Sequence, residues 1–128
     1  MAVTHPTAFR NTVADLVDSS LGAGANLVFR TAGNANAPGA EVATLAMSNP
    51  AFGAASGGSM NANAITEDGD ATGNVSPVAT ATLETSGGTV IVHCQVAASG
   101  QDIDFTGGLT VGAGDTVACS ELSYTAMP

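Results

Sequence analysis

Lysine and tryptophan are absent from this 128-residue chain, and its only arginines are Arg10 and Arg30. Nonspecific binding to nucleic acids depends on Lys and Arg side chains that neutralise phosphates, and a formal net charge of -9 opposes it. The same charge repels anionic membrane surfaces, and no run approaches the roughly 20 apolar residues of a membrane span. The sequence therefore predicts that neither nucleic acid nor a membrane is a partner.

Motifs that mark common enzymes are also missing. The chain contains no GxSxG or HExxH segment, and a Walker-type phosphate loop would need a lysine. Neither His5 nor His93 has a recognisable nucleophile and orienting carboxylate around it. We therefore expect no catalytic activity and no cofactor.

The sequence contains one weak candidate for a metal site and one for a disulfide bond. The acidic segment 66–74, TEDGDATGN, offers oxygen ligands but lacks the spacing of an EF-hand loop, so a solvated turn is expected and a calcium site is the alternative. Cys94 and Cys119 belong to no CxxC pair, and four clustered zinc ligands are not available. Two reduced, buried thiols are expected, with a disulfide between neighbouring strands as the alternative.

The spacing of apolar residues predicts one amphipathic helix at 6–18, which begins with a proline that suits a first turn. Its large apolar residues follow an i, i+4, i+7, i+8 pattern, which places them on one face, expected to meet the core. These residues are Phe9, Val13, Leu16 and Val17.

Strands and turns account for the rest of the chain. Short apolar or alternating runs predict strands at 26–31 and 41–47, and a hairpin joins 78–85 to 89–96 through a Gly-bearing turn. In its second strand, one face is expected to meet the core and carries Val90, Val92, Cys94 and Val96. Near the C-terminus the alternation slips by one residue, which predicts a β-bulge near Ser120 and Glu121.

These elements predict a single mainly β domain over residues 1–128. We expect a small β-sandwich of about six to eight short strands at 26–126, with the helix at 6–18 packed on it. The length suits one domain.

The stretch LAMSNPAFGAASGG, at 45–58, places an aromatic ring inside a segment rich in strand breakers. Asn49 and Pro50 end the preceding strand, because proline lacks a ladder donor. Phe52 then either plugs the end of the sandwich or anchors a partner. The candidate partner-binding residues are Phe52, Pro50, Phe9 and Arg10.

Four segments together resemble a family of small virion structural proteins of tailed bacteriophages and prophages. They are THPTAFRNTVADLVD, EVATLAMSNPAFGAASGG, NAIT, and VGAGDTV followed by SELSYTAMP. The PAFGAAS block and the C-terminal segment are the most specific, and 60–90 is less distinctive. TAGNANAPGAE is longer than the corresponding loop of the family, which leaves the role of that loop open.

The resemblance implies a virion protein, most simply a capsid decoration or cement protein that binds the outer capsid lattice and stabilises the head. Its expected partners are the major capsid protein and copies of itself, as a dimer or trimer. A tail, connector or neck component is the alternative. A glycan-binding or adhesion β-sandwich is a third, disfavoured because such sites present aromatic platforms to sugars, whereas Trp is absent here and Tyr124 is the single Tyr. We expect synthesis in the bacterial cytoplasm, since no secretory signal is recognisable.

Overall fold

The computed structural model describes residues 3–128. In chain order its elements are α1 (Thr7–Leu21), β1 (Asn26–Arg30), β2 (Glu41–Ala46), β3 (Ser59–Asn61), β4 (Thr80–Glu84), β5 (Val90–Ala97), β6 (Ile103–Asp104) and β7 (Ser123–Thr125). Five strands form one sheet in the order β2-β1-β4-β5-β6, and β3 pairs with β7 in a second sheet. The prediction of a small, mainly β fold with one N-terminal helix is therefore confirmed.

The helix runs one turn beyond its predicted end. Pro6 precedes α1, and Gly22 stops it because its φ of 66° lies in the left-handed region that favours glycine. The Gly22 N–H donates to the Asp18 carbonyl at 3.3 Å, which closes the last turn. Among residues 3–128, no helix has the length and apolarity needed to cross a membrane.

The predicted apolar face of α1 is wrong in part. Phe9 is 50% exposed and Leu16 is 62% exposed, although both were expected in the core. The inward face is rotated towards smaller side chains, and α1 packs against β5 and β3. The apolar residues of this inward face are Val13, Ala14, Val17 and Leu21. A small residue such as alanine lets the helix approach the sheet closely.

The larger sheet is antiparallel except at its β5–β6 edge. Register places Leu27 of β1 opposite Leu45 of β2 and Leu83 of β4, so these three leucines share the core face. Each is at most 2% exposed. Cross-strand apolar neighbours of this kind are the main source of stability in a sheet.

The predicted hairpin is confirmed, with one change in which residue meets the core. β4 pairs with β5, and the register shifts between Leu83 and Glu84. Because the shift inserts an extra residue in β5, Ile91 packs against the core, whereas Val90 lies outside the core cluster. Val96, Val92 and Cys94 lie on the core side as expected.

The C-terminal phase change is present without the β-bulge that was predicted for it. The core-facing side chains are Val117, Cys119, Leu122, Tyr124 and Ala126. The spacing therefore slips by one residue across Ser120 and Glu121. Among residues 3–128, no strand pairs with residues 120–122, where the chain bends at Ser120 before β7 begins, so there is no ladder for a bulge to interrupt.

Candidate functional site

Phe52 lies in the protein's own core. It is 1% exposed and forms an isolated bridge with Ala62. Its main-chain N–H donates to Asp18 Oδ1 at 3.0 Å, which ties this loop to the helix. Of the two roles expected for Phe52, the structure shows the first, a ring packed into the core of its own domain, and this burial leaves little of the ring for a partner to contact.

A stripe of polar side chains on α1 holds the loop that carries Phe52. Asn11, Asp15 and Asp18 follow the i, i+4, i+7 spacing of one helix face. Their Oδ1 atoms accept main-chain N–H bonds from Gly58, Ala55 and Phe52 at 2.8, 3.2 and 3.0 Å. The sequence contained this signal, but local periodicity did not distinguish it from a solvated polar face.

The Arg10 side chain binds the C-terminal segment of its own chain. Its Nε and Nη2 atoms donate to the Met127 and Ala126 carbonyls, each at 3.1 Å. Gly58 passes directly beneath the guanidinium with φ of 81°, and a Cβ added there would lie 2.6 Å from Arg10 Cζ. The prediction that Arg10 binds a partner is therefore not supported by its contacts, since the hydrogen bonds of Nε and Nη2 go to its own chain.

Pro50 remains at the surface. It is exposed, and its peptide bond with Asn49 is cis. The Pro50 carbonyl accepts a hydrogen bond from Asn63 Nδ2 at 2.9 Å. This places Pro50 beside the buried Phe52 as a fixed surface residue.

Phe9 and Leu16 form the main exposed apolar feature of α1. They are seven residues apart, so they lie on the same side of the helix two turns from each other. The His5 ring packs on Phe9, with ring centroids 5.0 Å apart. We name His5, Phe9 and Leu16 the helix patch. Because the opposite side of α1 is bonded to the loop and the C-terminal segment, this patch is held on a rigid support.

The other arginine is also engaged within the fold. Arg30 Nη2 lies 2.8 Å from Glu84 Oε2, with side-chain exposures of 17% and 7%, and Arg30 Nη1 donates to the Gly39 carbonyl at 2.9 Å. The Thr82 hydroxyl hydrogen bonds to the same Glu84 oxygen. Both arginines of the chain are thus used internally, and the carboxylates dominate the charge of the described surface.

An open cleft of about 680 Å³ is lined by acidic side chains. Its carboxylates are Asp102, Asp104, Asp115 and Glu121. Phe29 and Phe105 also line it and meet edge to face, with centroids 5.1 Å apart. The first three carboxylates accept main-chain N–H bonds, from Gln95, Gln101 and Gly112, and so fix turns at the rim.

The acidic turn at 66–74 has a structural role. Asp68 Oδ2 accepts the Thr44 N–H at 2.9 Å, and Asp68 Oδ1 accepts the Asp70 N–H at 3.0 Å. Within residues 3–128, no group of three or more His, Cys, Asp or Glu side chains is placed to hold a metal ion. Asp68, whose carboxylate was a candidate calcium ligand, thus holds the turn against β2.

Both cysteines are free and half-buried. Burial, and secondarily the negative charge of Asp102, raises the pKa of the Cys94 thiol to about 11. Burial also raises the pKa of the Cys119 thiol, and a hydrogen bond with the Glu121 backbone partly offsets this rise. Thiols held protonated at neutral pH are poor nucleophiles. The structure thus contains two thiols without a bridge, not the alternative disulfide.

His93 lies in β5 and is partly buried. Among the described residues, its Nε2 atom is buried and has no hydrogen-bond partner. A general base needs a nucleophile within hydrogen-bond reach, and within residues 3–128 His93 Nε2 has no such neighbour.

Comparison of this chain with protein-family models, with curated proteins and with solved structures gives no match.

Proposed function

We propose that this protein is a structural component of a tailed-bacteriophage virion, namely a capsid decoration protein that binds the outer capsid lattice and stabilises the head. The proposal starts from the four segments that resemble small virion proteins. Its location would be the outer capsid surface, and its partners the major capsid protein and further copies of itself.

The structural observation that carries the proposal is the helix patch. Phe9 and Leu16 are half exposed or more, on a helix whose other side is fixed to the domain by Arg10 and the polar stripe. A rigid apolar patch requires little ordering when a partner covers it, so more of its burial energy contributes to binding. This is the property that an attachment surface needs.

The charge distribution is compatible with this function. With both arginines engaged internally, the exterior is strongly acidic, which keeps free copies soluble before assembly. The same charge favours a partner surface that carries Lys and Arg side chains. The carboxylates of the acidic cleft add to this negative field.

A binding assay with the helix patch tests the proposal. The wild-type protein and the double variant Phe9→Ala/Leu16→Ala are added to particles produced without the protein and are co-sedimented with them. Losing burial of two partly exposed side chains costs about 2 kcal/mol, so we expect roughly 30-fold weaker attachment. Val75→Ala is the matched control, because Val75 is 95% exposed outside the helix.

The outcomes separate the alternatives. Binding at many sites over the head, lost in the double variant and kept in the control, supports decoration. Binding limited to one vertex or to the tail, seen by electron microscopy of labelled protein, supports the neck or tail alternative. Absence of binding to any particle contradicts the virion proposal.

A further inference from the structure

The last residues of the chain fold back onto its beginning, and we name residues 123–127 the C-terminal strap. Its strand β7 spans three residues and pairs with β3. Two side-chain contacts add to this pairing, because Ser59 Oγ lies 2.8 Å from Thr125 Oγ1 and Ser123 Oγ donates to Asn61 Oδ1 at 2.7 Å. Both contacts are exposed to water, which competes for the same hydrogen bonds, so they hold the strap only weakly.

The strap buries little apolar surface. Ala126 is 2% exposed, whereas the Tyr124 ring is only partly buried and Met127 is 69% exposed. The five-stranded sheet instead packs large side chains that are at most 2% exposed, among them Leu27 and Leu83. Segments with few buried apolar contacts open at a lower free energy than the core does. We therefore expect the strap to open more readily than the sheet.

The segment that leads into the strap, residues 118–122, has room to move. Val117 before it is fixed, because its N–H and its carbonyl both bond to the main chain of Asp68, at 2.8 and 2.9 Å. Residues 119–122 then border two cavities, the open cleft of about 680 Å³ and a second cavity of about 250 Å³ that residues 62–65 also line. A segment that borders open space in this way can serve as a hinge.

The strap is bonded to the N-terminal half of α1. Arg10 donates to the carbonyls of Ala126 and Met127, each at 3.1 Å. The Ala126 N–H donates to the Gly58 carbonyl at 2.8 Å, and the Gly58 N–H donates to Asn11 Oδ1 at 2.8 Å. The strap therefore contacts the helix both directly and through the residue that precedes β3.

Other support for the first turn of α1 is weak. Within residues 3–128, no side-chain hydrogen bond caps this turn, and its sequence, TAFR, contains no acidic residue to interact with the helix dipole. The C-terminal half of the helix is instead tied to the Phe52 loop through Asp15 and Asp18. The order of the N-terminal half, which carries Phe9, thus depends on the strap.

From these contacts we infer that the C-terminal strap opens about a hinge at residues 118–122 while the five-stranded sheet stays folded, and that its closure orders the N-terminal half of α1. The strap is a conformational device that couples the C-terminus to the helix patch. Its consequence for capsid attachment rests on the proposed function. The coupling itself is a property of the free protein.

Hydrogen exchange of the purified full chain, followed by NMR without particles, tests the inference, so failure here does not bear on capsid binding. One reporter is the Ala126 N–H, which bonds to Gly58, and the other is the Arg10 N–H, which bonds to the Pro6 carbonyl at 3.0 Å. We expect the protection factors of both reporters to be at least tenfold lower than those of the β4 amides. Equal protection of the strap and β4 would show that they open only together, which overturns the inference.

A disulfide between the strap and β3 tests the coupling. Residues 59 and 125 form a non-hydrogen-bonded antiparallel pair, in which Cα atoms lie about 4.5 Å apart, within disulfide range. In a Cys94→Ala/Cys119→Ala background, oxidised Ser59→Cys/Thr125→Cys is compared with its own reduced form. We expect oxidation to raise the protection of both reporters at least tenfold relative to β4. A rise in the strap without a rise in the helix overturns the coupling.

Arg10→Met tests the direct link, because methionine keeps an apolar stem but has no donor. We expect the protection of the Ala126 N–H to fall at least threefold relative to β4. Ser20→Ala, at an exposed residue of the same helix, is the matched control and should leave this protection unchanged. Unchanged protection of Ala126 in folded Arg10→Met overturns the role of Arg10 in holding the strap.

Discussion

Replacing Phe52 with alanine should cost the domain a large part of its stability. Phe52 is 1% exposed and belongs to the main core cluster. Transfer of a buried Phe side chain to water costs about 1.5–3 kcal/mol, and the cavity left behind adds to it. Comparable Phe→Ala changes cost about 3–5 kcal/mol. Domains of this kind have unfolding free energies of about 5–15 kcal/mol, so Phe52→Ala would leave a marginal fold.

Urea denaturation followed by circular dichroism measures this loss. With a urea dependence of about 2 kcal/mol per M, a 4 kcal/mol loss lowers the midpoint by about 2 M. Phe9→Ala is the matched control, because the same change at a half-exposed ring should cost less than about 1 kcal/mol. If Phe52→Ala loses less than about 1 kcal/mol with an unchanged urea dependence, the assignment of Phe52 to the core is refuted.

Three further predictions concern stability and thiol chemistry. Glu84→Gln leaves Arg30 without its ionic partner and should lower the unfolding free energy in urea by about 3 kcal/mol. The control Glu41→Gln, at an exposed residue, should lower it by under about 0.5 kcal/mol. Equal losses would contradict a stabilising role of the Arg30–Glu84 pair. Gly58→Ala should destabilise by about 1–2 kcal/mol, because a residue with a Cβ is strained at this positive φ and the Cβ displaces the Arg10 guanidinium; an unchanged melting temperature would refute this. Cys94 should alkylate slowly at pH 8 and faster as the pH approaches about 11. Because the pKa of the Cys94 thiol is raised in the folded state, the thiol contributes its full stability below the unfolded thiol pKa of about 8.5. This contribution is lost as the pH rises towards 11. An unfolding free energy that does not fall between these pH values would contradict the raised pKa.

The elements that local sequence determines were the ones predicted correctly. The hairpin of β4 and β5 follows from alternation on both sides of a short glycine-bearing turn. The helix follows from its apolar spacing, and Gly22 explains its true end. The phase slip near Ser120 was visible too, because alternation depends only on neighbouring residues.

Features set by contacts between distant segments were missed. The spacing of apolar residues suggested that Phe9 and Leu16 face inward, but the orientation of the helix is decided by Asn11, Asp15 and Asp18, whose partners lie about 40 residues away. No local pattern reveals those bonds. Arg10 is a similar case, because its carbonyl partners lie at the opposite end of the chain.

The copy number of the protein in purified particles tests the central claim most directly. Quantitative mass spectrometry would measure its ratio to the major capsid protein. Decoration of the capsid lattice predicts a ratio near one to one, or a simple lattice fraction of it. A few copies per particle would contradict decoration in favour of a neck or tail component, and absence from particles would contradict the virion proposal.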